Sequence, residues 1–136
     1  MQITRAERFR LWLPAVVWAA MILILSGSGG SSQSSGSLLR LILPPLAPEV
    51  FEALNFGMRK LLHVVAYAIL SLLNSRALGG RRRLLAVILA VVVAVIDEVR
   101  QSWTASRSGH VLDVVLDTAA ASVAQMVVSL RKRRYP

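Results

Sequence analysis

The side chains able to do chemistry fall into three short clusters. Lys60, His63 and Tyr67 stand at i, i+3 and i+7; Asp97 and Glu98 precede Gln101 by four and three residues; Asp113 and Asp117 are four apart, with His110 and Arg107 just before them. Residues three or four apart share a helix face, so each cluster points its polar groups one way. Carboxylates beside a histidine can act as acid and base. Lys60, Arg59, Arg100 and Arg107 could meet phosphate, the arginines in a bidentate manner. Oxygen-rich sets such as Asp97, Glu98, Asp113 and Asp117 would suit Mg²⁺ or Ca²⁺.

Other chemistries are excluded by what is missing. There is no cysteine, which removes thiolate metal sites, disulfides and cysteine nucleophiles. Two histidines cannot make a three-histidine zinc site. The Gly/Ser-rich run 26–37 contains neither GxxxxGK[ST] nor GxSxG. Arg107-Ser108-Gly109-His110 is similar to the Pro-Ser-Gly-His of lipid phosphatases, but that motif needs a histidine where Asp113 stands.

The elements that carry these clusters are apolar. Of 136 residues, 55% are hydrophobic and 17% charged, and the mean hydropathy is +0.59. A soluble domain has about 25% charged residues, so much of this chain is expected to face lipid. The net charge of +9 could indicate nucleic acid, but the basic residues bracket apolar stretches and the motifs of nucleic-acid binders are missing. Four spans are expected, at about 9–26, 58–78, 84–103 and 109–130, in a single domain covering 1–136. Eleven of the sixteen basic residues lie in the N-terminal arm, the connection around 76–83 and the C-terminal tail. Lys and Arg accumulate on the cytoplasmic side, which predicts an all-α polytopic membrane protein with both termini cytoplasmic. The opening segment also has the layout of a signal peptide; its long apolar core favours a retained helix. Between the first two spans the sequence predicts a flexible external loop over 26–37 and a short interfacial helix over 49–55, started by Pro48. Ala90-xxx-Ala94, Thr118-xxx-Ser122 and Ala120-xxx-Ala124 read as helix-packing positions.

Depth brings the clusters together. Asp97 and Glu98 lie about 20 Å along the third span from its cytoplasmic end, by helical rise. Asp113, Asp117, Lys60 and His63 lie near the outer ends of their own spans. A charge at mid-bilayer costs at least about 2.5–3.5 kcal/mol, so these faces should point at one another or into a wet cavity. The expectation is a polar pocket near the outer leaflet, built from Lys60, His63, Tyr67, Asp97, Glu98, Gln101, Arg107, Asp113 and Asp117, with Arg59, Arg100 and His110 at its margin. A structural network is the plainer reading: Arg107 or Arg100 paired with Asp113 or Glu98, and His63 with Glu98.

The runs RKLLHVVAYAILSLL (59–73), DEVRQ (97–101) and SRSGHVLDVVLDTAAA (106–121) resemble VanZ-like membrane proteins. The family pattern is Lys-x-x-His-x-x-x-Tyr on the second helix and Asp-Glu-x-x-Gln ending the third. The fourth opens with an Arg followed by two Asp four apart. Lys60, His63, Tyr67, Asp97, Glu98, Gln101, Arg107, Asp113 and Asp117 match it, and Ser26 suits it. Thr118 and Ala119 stand where the family often has Asn or Gly. The resemblance implies a bacterial, inner-membrane protein. The name-giving member is associated with low-level resistance to the glycopeptide teicoplanin. No reaction is implied.

Three functions are compatible with these residues. The protein could bind or remodel an anionic, lipid-linked envelope precursor such as a polyprenyl phosphate. It could be a hydrolase or transferase for such lipids, with or without a divalent cation; no resident cofactor is otherwise expected. Or it could be a membrane scaffold whose charges only assemble helices.

Overall fold

The computed structural model describes residues 4–26, 32–103 and 111–134, and among them the only regular elements are helices. There are five: α1 (Arg5–Leu25), α2 (Ser32–Ile42), α3 (Pro48–Ala77), α4 (Arg83–Ser102) and α5 (Val111–Arg134). Three are long and apolar enough to cross a membrane: Arg5–Leu25, Pro48–Ala77 and Val111–Lys132. Helix α4 has 20 residues, about 30 Å by helical rise, but Asp97, Glu98 and Arg100 lower its apolarity near one end.

Local chemistry sets where the helices start and stop. Thr4 and Glu7 form a capping box on α1: the Glu7 N–H donates to Thr4 Oγ1 at 3.2 Å and the Thr4 N–H to Glu7 Oε2 at 2.8 Å. Helix α2 stops before Pro44 and Pro45, which cannot continue it. Pro48 opens α3 at a position where its missing N–H is not needed. The α3–α4 turn is a Schellman motif. Gly80 N–H donates to the Ser75 carbonyl at 2.7 Å and Gly79 N–H to the Arg76 carbonyl at 3.1 Å. Gly79 and Gly80 have φ of 72° and 75°, a backbone that side-chain-bearing residues rarely adopt.

Two sequence expectations for the first connection differ from the structure. The Gly/Ser-rich run is helical from Ser32 onward. Gly36 supplies the reason: it is buried against α3, where a β-carbon would lie 3.6 Å from both Asn55 and Phe51. Arg40, one turn on, lies 4.9 Å above the Phe51 ring. Tertiary contact thus outweighs the flexible composition. The helix expected over 49–55 is not separate but forms the first turns of the 30-residue α3; Gly57 alone, at about 1 kcal/mol, does not break it.

Helices α1, α3, α4 and α5 run side by side, with α3 touching each of the others. Trp18 Nε1 donates to the Ala66 carbonyl at 2.9 Å, while Ser26 reaches Asp97. Ser71 Oγ donates to the Ala121 carbonyl at 3.1 Å and Asn74 Nδ2 to the Ala86 carbonyl at 3.3 Å. These pairings make α1 and α4 antiparallel to α3, and α5 parallel to it. One end gathers Ser26, Lys60, Asp97 and Asp113. The other holds the Gly79–Gly80 turn, with Lys132 Nζ 3.4 Å from where a Gly80 β-carbon would be.

The core between them is thin. Ala86, Ala90 and Ala94 are at most 1% exposed, so α4 approaches its neighbours closely, as small residues at this spacing permit. Its large residues Leu84, Ile88, Val92, Val95 and Val99 point outward. On α5 the buried positions are Asp117, Ala121 and Gln125. The expected packing pairs Thr118–Ser122 and Ala120–Ala124 flank that stripe, and the Thr118 and Ser122 hydroxyls bond back to carbonyls of their own helix.

Candidate functional site

Four helices meet in one polar layer. Lys60 on α3 forms an ion pair with Asp113 on α5. His63, a turn deeper, has Nδ1 3.5 Å from Oδ2 of Asp117, also a turn deeper. The i, i+3 spacing on α3 and the i, i+4 spacing on α5 therefore run in register down one seam. Asp97 on α4 is 1% exposed; it accepts from Ser26 of α1 and from Gln101 Nε2, the latter at 2.8 Å. His63 is within electrostatic range of Asp97, Asp113 and Asp117. The two carboxylate clusters thus belong to one chamber.

Tyr67 closes it from below. Its ring stacks on His63 with centroids 6.1 Å apart, and it is 1% exposed. The Tyr67 hydroxyl and Asp117 Oδ1 are buried and have no hydrogen-bond partner among the described residues. Buried polar atoms of native proteins are satisfied as a rule, so this pair marks where a water or a ligand group would be held.

The structure brings together Lys60, His63, Tyr67, Asp97, Gln101, Asp113 and Asp117, as the spacing predicts, and Glu98 lies within electrostatic range of Tyr67. It differs from the plain network expected. Asp113 pairs with Lys60 rather than with an arginine, and the partner of His63 is Asp117 rather than Glu98. Arg100 donates to the Leu23 carbonyl of α1 and lies within electrostatic range of Asp97. Arg107 and His110 lie outside the described residues. Among those described, no three histidine or carboxylate groups are arranged to hold a metal ion.

A cleft of about 310 Å³ opens beside the chamber, between α1 and α3. Trp18, Met21, Ile22 and Leu25 form one wall, and Leu62, Val65 and Ala66 the other. Ser26, Arg59, His63 and Tyr67 complete the lining. The Nε of Arg59 is buried and has no partner among the described residues. With Nδ1 of His63 turned to a carboxylate, its other ring nitrogen is the one left for the cleft.

Sequence reasoning passed over a second, uncharged layer. Gln125 Nε2 donates to the Ser71 carbonyl at 2.8 Å and to Ser71 Oγ at 2.9 Å, and Asn74 ties α3 to α4. A signal was present: Ser71 and Asn74 continue the 60–63–67 face, and Gln125 lies two turns beyond Asp117.

The family model described as VanZ/LLP1 matches residues 11–132, nearly the whole chain. No curated protein and no solved structure matches. A match of this extent, over the helices that build the chamber, makes the chain a member of the VanZ/LLP1 family and a membrane protein.

Proposed function

We propose that the protein binds or remodels an anionic, lipid-linked envelope precursor in the charged chamber, which faces the outer leaflet of a bacterial inner membrane. All four long helices span the bilayer in this reading, with both termini and the Gly79–Gly80 turn in the cytoplasm. Its support is the charge distribution. Arg5, Arg8, Arg10, Arg76, the arginines at 81–83, Arg131 and Lys132 lie toward the end opposite the chamber, where the cytoplasmic side attracts basic residues. Helix α4 suits a span because its large aliphatic residues face out and its alanines face in. At 45 Å by helical rise, α3 exceeds the roughly 30 Å hydrocarbon core. Its first turns, with α2 against them, would then stand in the interface.

The observation that carries the functional reading is the pairing pattern inside the chamber. Asp113 holds Lys60 and Asp117 holds His63, so each basic side chain is oriented by a carboxylate from another helix. Arg59, whose buried Nε has no partner among the described residues, is the contact for a ligand phosphate, arginine being suited to bidentate contact; the sequence offers Arg107 as a second. A divalent cation would enter only as a bridge between a chamber carboxylate and that phosphate. A role in resistance to teicoplanin-type glycopeptides would follow from altered handling of the precursor.

One observation favours a second reading, a hydrolase or transferase at the same site. The Asp117–His63 pair leaves a ring nitrogen toward the cleft, the arrangement of a general base held by a carboxylate. Turnover separates the two, since only an enzyme yields a chemically altered lipid.

The test is native mass spectrometry of the purified protein, wild type beside Arg107→Ala and Glu98→Gln. An anionic lipid carried by the wild type and lost from both variants, at normal protein abundance, is expected. Equal retention in all three, or none in any, would overturn the reading and leave a scaffold whose charged layer only joins helices.

A further inference from the structure

Resting on that reading, we propose that the α1–α3 cleft is a slot for one hydrocarbon chain of a phosphate-headed lipid, with Arg59 as the phosphate contact at its mouth. The cleft has a polar end and an apolar end. Ser26, Arg59 and His63 lie where it meets the chamber; Met21, Ile22, Leu62, Val65 and Ala66 line the rest. The hydrogen bond from Trp18 to the Ala66 carbonyl ties the helices together and forms its floor. From Ser26 to Trp18 is eight residues, about 12 Å of helix. Amphipathic molecules fit such a gradient in one direction only, tail toward Trp18 and head toward the chamber.

The size selects the number of chains. About 310 Å³ is at the small end of ligand pockets, which run from about 300 to 1,000 Å³. A groove bounded by a single row of side chains from each of two helices holds one chain and leaves no place for a second. Charge selects the head. Lys60 is occupied by Asp113 and Arg100 by the Leu23 carbonyl, whereas the Arg59 Nε is buried with no partner among the described residues. A guanidinium group held at a lipid-facing mouth is stabilised by an anion of matching geometry, and phosphate accepts two of its N–H groups at once. The buried Tyr67 hydroxyl, also without a partner among the described residues, offers a further donor where cleft and chamber join.

The experiment measures binding by the full-length protein in nanodiscs. Four probes are compared: a polyprenyl monophosphate, the polyprenol of equal chain length, a diacyl phosphatidic acid and inorganic phosphate. Three variants accompany the wild type. Leu62→Trp fills the slot from a residue more than half exposed, so the core is undisturbed. Leu112→Trp adds the same ring on an exposed face of α5 away from the cleft. Arg59→Gln removes the phosphate contact. The wild type is expected to prefer the polyprenyl phosphate over the other three probes. Leu62→Trp should weaken that binding tenfold or more and Leu112→Trp should not. Arg59→Gln should weaken the polyprenyl phosphate by about 10–100-fold, as for a charged hydrogen bond, and leave the polyprenol unchanged. If both tryptophan variants bind like the wild type, the slot is refuted while lipid binding by the chamber stands. Equal binding of phosphatidic acid refutes the single chain, and equal binding of inorganic phosphate refutes any chain contribution. An unchanged Arg59→Gln refutes the phosphate contact. Absence of binding by every lipid overturns the functional reading itself.

Discussion

The Lys60–Asp113 pair gives the sharpest test of how the chamber is held. The side chains are 30% and 21% exposed, between two known limits. A fully exposed pair contributes at most about 1 kcal/mol, and breaking a buried pair costs about 3–5 kcal/mol. Coupling of about 1–3 kcal/mol is therefore expected, a factor of roughly 5–150 in an equilibrium constant. The two single variants should not be equal. Lys60→Met leaves the Asp113 carboxylate one turn from Asp117 without its ion-pair partner. Asp113→Asn leaves a lysine whose long stem can lift its ammonium toward water. So Lys60→Met should destabilise more than Asp113→Asn, and the double variant should recover part of the loss. Reversible unfolding in detergent, followed by the fluorescence of Trp12, Trp18 and Trp103, supplies the four free energies of the cycle. Additivity within about 0.5 kcal/mol would refute a direct contact between α3 and α5 at this level, and with it the register that also aligns His63 with Asp117.

Ala90→Leu should destabilise by about 1–3 kcal/mol through overpacking, because Ala90 is buried where α4 meets its neighbours; the same change at the exposed Val92 should leave the melting temperature within a degree or two. Gln125→Leu should cost about 1–2 kcal/mol in the same unfolding assay, since hydrogen bonds between membrane helices average about 0.6 kcal/mol each, with a maximum near 1.7, and two to Ser71 are lost. Gly79→Val should lower stability by 1 kcal/mol or more, a β-branched side chain being strained at a φ of 72°, while Gly36→Ala should be tolerated, its new methyl meeting Asn55 and Phe51 at an ordinary 3.6 Å. A reporter fused after Pro136 should be active in its cytoplasmic form; activity only outside would reverse the orientation and the side on which the chamber opens.

Much of the site was legible because helical spacing in an apolar chain is hard to satisfy by chance. The 60–63–67, 97–101 and 113–117 pairs had to share faces, and lipid on the outside required those faces to turn inward. What the spacing did not contain was pairing across helices. The sequence pointed to Arg107 or Arg100 as the partner of Asp113, and the pairing with Lys60 depends on the register between α3 and α5, a tertiary property. Composition misled at 32–37, where serines and a glycine read as a loop. What holds the segment is the packing of Gly36 against Phe51 and Asn55 of α3, a contact with no trace in the local sequence.

Helix α4 shows why the site and the span are one problem. Its buried face runs Ala86, Ala90, Ala94, Asp97, Gln101, a single stripe that changes from methyl groups to carboxylate and amide within one turn. The alanines bring α4 close to α3, and that closeness lets Asn74 reach the Ala86 carbonyl. The same stripe delivers Asp97 to Ser26 at the other end. A larger residue in place of Ala90 or Ala94 would push the helix outward and draw Asp97 from the chamber. The small residues and the acidic end therefore act together: the first set the distance at which the second can meet a serine from α1. Leu84–Ile96 is unbroken aliphatic sequence, so what sets this helix apart from the three most evident spans is the charge at its ends, and Asp97, one of those charges, is enclosed by its neighbours.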